Sequence, residues 1–147
     1  MEGRSIMDSS LQKDQDDLQR AKNGKRILVV DDVKSMRDII KSLLEDTELY
    51  SVQTAQDGEA AISLLKQHSF DLLITDYNMP RMNGYELFKR CKTISSKLPV
   101  IFITGNNFND GVIEKIKSQG NVECILKPFD ANFLYKIVDI LIRTSTT

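Results

Sequence analysis

Residues 25–32 read KRILVVDD, and residues 71–80 read DLLITDYNMP. In the first stretch the apolar run Ile27-Leu28-Val29-Val30 stops at Asp31-Asp32; in the second, Leu72-Leu73-Ile74 runs through Thr75 into Asp76. Runs this short and this apolar, without polar alternation, suit strands buried on both faces of a sheet. The acids that follow them mark where each strand leaves the core.

Outward from these two stretches the chain repeats the same pattern. Candidate strands are Arg26–Val30, Tyr50–Ala55, Asp71–Thr75, Pro99–Ile103 and Val122–Leu126, rich in residues that buried strands favour. Between the first two, Met36, Ile39, Ile40, Leu43 and Leu44 recur at the spacing of an amphipathic helix. Ala61, Ile62, Leu64 and Leu65 predict a second helix behind Asp57 as its N-cap, and Leu87, Phe88 and Cys91 a third. Val112, Ile113 and Ile116 mark a short fourth; Phe133, Leu134, Ile137, Val138 and Leu141 mark a fifth, capped by Asp130. Strands alternating with helices predict an α/β fold, a parallel sheet covered on both faces. In such sheets ligands bind beyond the carboxyl ends of the strands.

Composition sets outer limits on function. The 147 residues are enough for one domain. Apolar residues are 41% and charged residues 28%, which excludes collagen-like and broadly disordered classes. Twenty Lys and Arg against 21 Asp and Glu leave a net charge of −1, without the basic footprint of a nucleic-acid binder. Cys91 and Cys124 form no CxxC pair, so neither a disulfide framework nor a zinc site is indicated. No apolar run reaches the roughly 18 residues of a membrane span, and a signal-peptide block is lacking. A cytoplasmic protein is expected. Residues 1–24 read as a flexible arm or a partial expression scar, 25–143 as the folded domain and 144–147 as a tail, with no downstream domain.

The strand ends gather chemistry. Asp31 and Asp32 follow the first strand, Asp76 the third, Thr104-Gly105 the fourth and Lys127-Pro128 the fifth. Any one acid after a strand is ordinarily a cap or a turn former. Three carboxylates at one edge would repel one another unless a cation offset them. Oxygen donors with no His or Cys among them suit a hard ion, and Mg2+ above all, because no EF-hand spacing for Ca2+ is present. A metal beside a carboxylate, a lysine and a hydroxyl is what phosphoryl transfer to a carboxylate requires. Asp76 is the nucleophile this reading selects.

These residues together resemble a response-regulator receiver domain of two-component signalling, of the stand-alone, chemotaxis-regulator-like kind. The resemblance spans about Lys25 to Arg143 and rests on Asp31-Asp32, Asp76 within Asp76-Tyr77-Asn78-Met79-Pro80, Gly84, Thr104 and Lys127-Pro128-Phe129. It implies a flavodoxin-like doubly wound sheet of order 2-1-3-4-5 with five helices. It implies that Asp76 accepts a phosphoryl group from a histidine kinase or histidine phosphotransfer protein. Mg2+ would be held by Asp32, Asp76 and the Asn78 backbone carbonyl, with Asp31 acting through water. Lys127 would pair with the acceptor and then with a phosphoryl oxygen. Thr104 would turn its hydroxyl to another such oxygen, shifting the helix 4, strand 5, helix 5 face to which a downstream protein binds. Pro128 would follow a cis peptide bond. Such a protein is a phosphoacceptor that assists its own phosphorylation and dephosphorylation rather than an enzyme in the usual sense, with no nucleic-acid or membrane partner.

One position departs from the family pattern: Cys124 stands three residues before Lys127, where a Tyr or Phe is usual. A thiol cannot transmit a change by swinging a ring, which favours transmission through the run Asn106–Gly111. The departure also sustains an alternative, a receiver-fold interaction module that works without phosphorylation. A haloacid-dehalogenase-like phosphatase is a third reading, but its second catalytic acid would fall at Asn78, which cannot donate and recover a proton. His68 reads as a solvated helix end, Cys91 as a small core residue, and Asp14, Asp16 and Asp17 as a solvated acidic stretch.

Overall fold

The computed structural model describes residues 24–105 and 111–145. The arm over residues 1–23, with its acidic stretch, the run 106–110 and the last two residues lie outside the described residues.

Five strands, β1 (Lys25–Val30), β2 (Tyr50–Ala55), β3 (Leu72–Asp76), β4 (Val100–Thr104) and β5 (Val122–Leu126), form one parallel sheet of order β2-β1-β3-β4-β5. The helices α1 (Lys34–Glu45), α2 (Gly58–Gln67), α3 (Gly84–Ile94), α4 (Val112–Lys117) and α5 (Ala131–Ser145) alternate with them. This is the flavodoxin-like arrangement that the family resemblance implies. The last helix extends two residues into the expected tail.

Alternate strand residues feed two cores. Leu28, Val30, Leu73, Val100 and Phe102 pack with α2, α3 and Ile116 of α4, while Ile27, Val29, Ile74, Ile101 and Ile103 pack with α1 and α5. Because both faces are covered, β3 and β4 are buried along their whole length. That is why their sequences read as unbroken apolar runs. On the edge strand β2, Val52 would expose its backbone, but its N–H donates to Glu45 at 3.1 Å and its carbonyl accepts from Lys41 at 3.0 Å. The two side chains reach down from α1 and occupy the sheet edge.

The structure corrects the sequence reading at several places. β3 and β4 each run one residue further than expected, because Asp76 still pairs with Ile103 and Thr104 with Leu126. Both polar residues are therefore fixed by the sheet ladder itself rather than by a following loop. Ile39 and Phe133 do not join the core: they are 49% and 47% exposed. In α1 the buried seam is Ile40 and Leu44, and in α5 it is Leu134, Val138, Leu141 and Ile142. Ile39 and Phe133, each one residue before a seam position, are rotated by about 100° onto the flank. His68 is half-buried, its ring edge-on to Phe70 at 6.5 Å, rather than fully solvated.

Local signals hold at the helix starts. Asp57 accepts from the Ala60 N–H at 2.8 Å as the cap of α2. Asn83 and Glu86 form a reciprocal capping box that opens α3 just beyond the loop that follows β3. The Asp130 side chain accepts from the Asn132 N–H at 2.8 Å where α5 begins.

Candidate functional site

Parallel register sets the site. Val30 pairs with Thr75, so the next residues, Asp31 and Asp76, emerge side by side at the carboxyl edge of the two central strands. Asp31 is 1% exposed: its N–H donates to the Ala55 carbonyl at 3.2 Å, and its Oδ1 accepts from the Val33 N–H at 2.9 Å. Its neighbour Asp32 is exposed. Asp76 is 8% exposed and its Oδ1 accepts from the Asn78 N–H at 3.2 Å. One carboxylate oxygen from each of Asp31, Asp32 and Asp76 lies within 4.8 Å of the others.

Lys127 closes the cluster from β5. Its Nζ is 3.2 Å from Asp31 Oδ2 and 3.5 Å from Asp76 Oδ2. One ammonium against three carboxylates leaves an excess of negative charge in a poorly solvated place. Asp76 registers the imbalance: burial pushes its carboxyl above the usual carboxylate range and Asp31 adds to the push, against the opposing pull of Lys127. The donors are all oxygen, two of them partly withdrawn from water. That chemistry fits a hard divalent cation such as Mg2+.

Two further predicted residues reach the same edge. Thr104, at the end of β4, is 1% exposed, and its Oγ1 accepts from the Asn78 side-chain amide at 3.2 Å. Its carbonyl accepts from the Lys127 N–H at 2.7 Å, which locks β5 in line with the site. The Lys127–Pro128 bond is cis, as the resemblance implies. Gly84 donates its N–H to the Tyr77 carbonyl at 2.7 Å and so folds the loop after Asp76 back onto the start of α3. Met79 and Met82 are buried beneath that loop and serve packing. Every residue singled out from the sequence for the chemistry thus lies along one edge.

Sequence reasoning missed Arg37, whose guanidinium donates to the Asp31 carbonyl at 2.7 Å. Its place one helical turn after Val33 was the available signal. The contact of the Asn78 side chain with Thr104 was missed as well. Cys124 lies in the middle of β5 opposite Phe102, half-buried against the core, with its thiol pushed up to about 11 by burial. The aromatic rings nearby are on other segments: Phe102 of β4 meets Tyr77, in the loop after β3, at 5.9 Å and Phe88 of α3 at 5.8 Å.

Comparison with known proteins agrees with this geometry. Residues 27–139 match the model of the response regulator receiver domain. The chemotaxis protein CheY-3 of Vibrio cholerae is 39% identical over 116 residues, covering 78% of this chain and 88% of that protein. The chemotaxis protein CheY of Pseudomonas aeruginosa is 37% identical over 116 residues, covering 78% and 93%. Among solved structures, a response regulator receiver domain from Clostridium thermocellum superimposes with a TM-score of 0.75 at 30% identity, covering 83% of this chain and 97% of that one. Vibrio cholerae CheY4 gives 0.73 at 29% identity, covering 80% and 98%. With an acid pair, a buried aspartate, a threonine and a lysine converging at the end of a 2-1-3-4-5 sheet, the chain belongs to the response regulator receiver domain family, the phosphoacceptor switches of two-component signalling.

Proposed function

We propose that Asp76 is the phosphoacceptor of this chain and that residues 25–143 form its receiver domain. The observation that carries this reading is the convergence of the Asp31, Asp32 and Asp76 carboxylates within 4.8 Å, with Lys127 against two of them. Asp32, Asp76 and the Asn78 backbone carbonyl would hold Mg2+, with Asp31 acting through water. The ion would neutralise charge on the phosphoryl oxygens and on the attacking carboxylate.

In the reaction an Asp76 oxygen forms a bond to phosphorus as the bond from phosphorus to the donor breaks, and the electron pair leaves with the donor. Lys127, already within reach of Asp76, takes a phosphoryl oxygen once charge develops there, and the Thr104 hydroxyl donates to another. The same residues then assist hydrolysis of the acyl phosphate by water, which makes the chain an assistant to its own dephosphorylation. The donor would be a histidine kinase or a histidine phosphotransfer protein, met in the cytoplasm; among the described residues no helix is long and apolar enough to cross a membrane.

The downstream partner would be a protein bound at the α4–β5–α5 face. Leu126, Phe133 and Ile140 are 50%, 47% and 45% exposed there, an apolar surface on a face otherwise studded with Lys and Glu. Cys124 favours a second reading, in which this face binds its partner without phosphorylation. Intact-mass spectrometry after incubation with acetyl phosphate, with and without Mg2+, decides between them. A Mg2+-dependent gain of one phosphoryl group, lost in Asp76→Asn, is expected; no gain where another receiver is modified would leave the phosphate-independent reading.

A further inference from the structure

Asn78 contacts both halves of the site. Its backbone N–H donates to Asp76 Oδ1, and its side-chain amide donates to Thr104 Oγ1, each at 3.2 Å. The two contacts join Asp76 at the end of β3 to the threonine at the end of β4, 26 residues beyond Asn78. We propose that Asn78 is a positioning residue that ties occupancy of the acidic cluster to the orientation of the Thr104 hydroxyl, before any phosphoryl group arrives. The proposal rests on the acceptor and metal roles given above to the same site.

The argument runs through donors and acceptors. An amide NH2 only donates, so the bond to Thr104 uses a lone pair of Oγ1 and turns the hydroxyl hydrogen away from Asn78. That hydrogen is what a phosphoryl oxygen would receive. Thr104 is β-branched and buried, with a small set of staggered states at χ1, and the bond from Asn78 contributes to the choice among them. A threonine free to rotate would pay the cost of orientation at the moment of reaction.

Asn78 can couple the two because its loop is stiff. Gly84 donates to the Tyr77 carbonyl at 2.7 Å, and Met79 and Met82, which flank the turn, are each 8% exposed. These contacts resist a backbone shift at residue 78, so such a shift is carried to the side chain, which is the part that touches Thr104. An ion drawn to the Asn78 carbonyl would thus alter Thr104 through this residue, although Thr104 is not itself an ion ligand.

The test is methyl NMR of the full chain labelled at Thr and Val, titrated with Mg2+ in the absence of any phosphoryl donor. Val33, whose N–H is bonded to Asp31, reports ion binding independently. In the natural chain the Thr104 methyl shift and its χ1-sensitive coupling should change in step with Val33. In Asn78→Ala, which keeps the backbone carbonyl, Val33 should still titrate while the Thr104 response falls by about fivefold or more. Asn78→Leu, of similar size but with neither donor nor acceptor on its side chain, should also lose the response. An undiminished Thr104 response in both variants overturns the proposal. So does a natural chain in which Val33 titrates and Thr104 stays still. Silence of both residues in the natural chain would instead reject the metal reading, and the coupling with it.

Discussion

Gly84 leaves no space against Asp76: a Cβ at Gly84 would lie 2.4 Å from the Asp76 carbonyl oxygen and 2.8 Å from the Tyr77 Cα. Both obstacles are backbone, so neither can swing aside. The consequence is that a residue eight positions downstream governs where Asp76 sits. Gly84→Ala should destabilise the chain by about 2–3 kcal/mol in urea unfolding, as overpacking does. Acetyl phosphate should modify the variant at least about tenfold more slowly, because displacement of a nucleophile by a fraction of an ångström is costly. Equal stability with normal modification would show that the loop yields more easily than its hydrogen bonds indicate.

Lys127 has the opposite relation to the acceptor, one of charge. Its removal in Lys127→Ala leaves Asp31 and Asp76 facing each other, withdrawn from water and without the ammonium that both approach. Loss of one partner from a largely buried pair should cost about 2–3 kcal/mol at neutral pH. Added Mg2+ should recover part of that deficit, since a divalent ion returns positive charge to the same place. Denaturant titration with and without Mg2+ measures both effects. A deficit that Mg2+ leaves untouched would separate the lysine from the acidic cluster.

The strands and their order of chemistry were legible because the central strands are buried on both faces, which forces unbroken apolar runs with polar residues only at their ends. Asp31, Asp76, Thr104 and Lys127 stand at such ends, so the edge could be read directly. Ile39 and Phe133 misled because apolar side chains outside a buried seam look the same in sequence as those inside it. The sequence has no means of recording that Asp76 and Thr104 still pair within the sheet, since pairing depends on a neighbouring strand. Arg37 escaped notice because its partner is a backbone carbonyl, which every residue has. The Asn78 contact with Thr104 was hidden for the related reason that 26 residues separate the two.

Asp76 should weaken the metal-free fold. Burial and Asp31 raise its carboxyl pKa above the unfolded value, with Lys127 pulling the other way. The folded chain then holds that proton more tightly than the unfolded chain does. Stability from this group is full below the ordinary carboxylate range and falls as pH rises through the raised value. Asp76→Asn abolishes that loss and should be more stable than the natural chain at pH 7 without Mg2+, by on the order of 1 kcal/mol. Saturating Mg2+ should reverse the ranking: an ion at about 100 times its Kd adds about 2.7 kcal/mol to a chain that binds it, and the variant has lost a ligand. Thermal melts of both proteins in EDTA and in Mg2+ show whether the order inverts. A natural chain that is the more stable in both conditions would mean Asp76 is not held at a cost.

The two cysteines should be chemically quiet in the folded chain. Cys91 is fully buried on α3 and Cys124 half-buried on β5, and burial pushes both thiols up to about 11. Alkylation needs the thiolate, so iodoacetamide at pH 7.5 should label both at least about a hundredfold more slowly than a free cysteine, whose pKa is about 8.5. Labelling in denaturant should proceed at the ordinary rate. The same shifts carry a pH dependence of stability. Below about pH 8.5 both states keep the thiol proton. Above it the unfolded chain releases that proton first, so stability should decline as pH rises toward 11. Lysines and tyrosines also titrate there, so the natural chain is compared with Cys91→Ala and Cys124→Ala, each of which should show a shallower decline. Rapid labelling of Cys124 at neutral pH would place its thiol outside the packed layer. It would then open the α4–β5–α5 face to redox chemistry that a buried, protonated thiol does not permit.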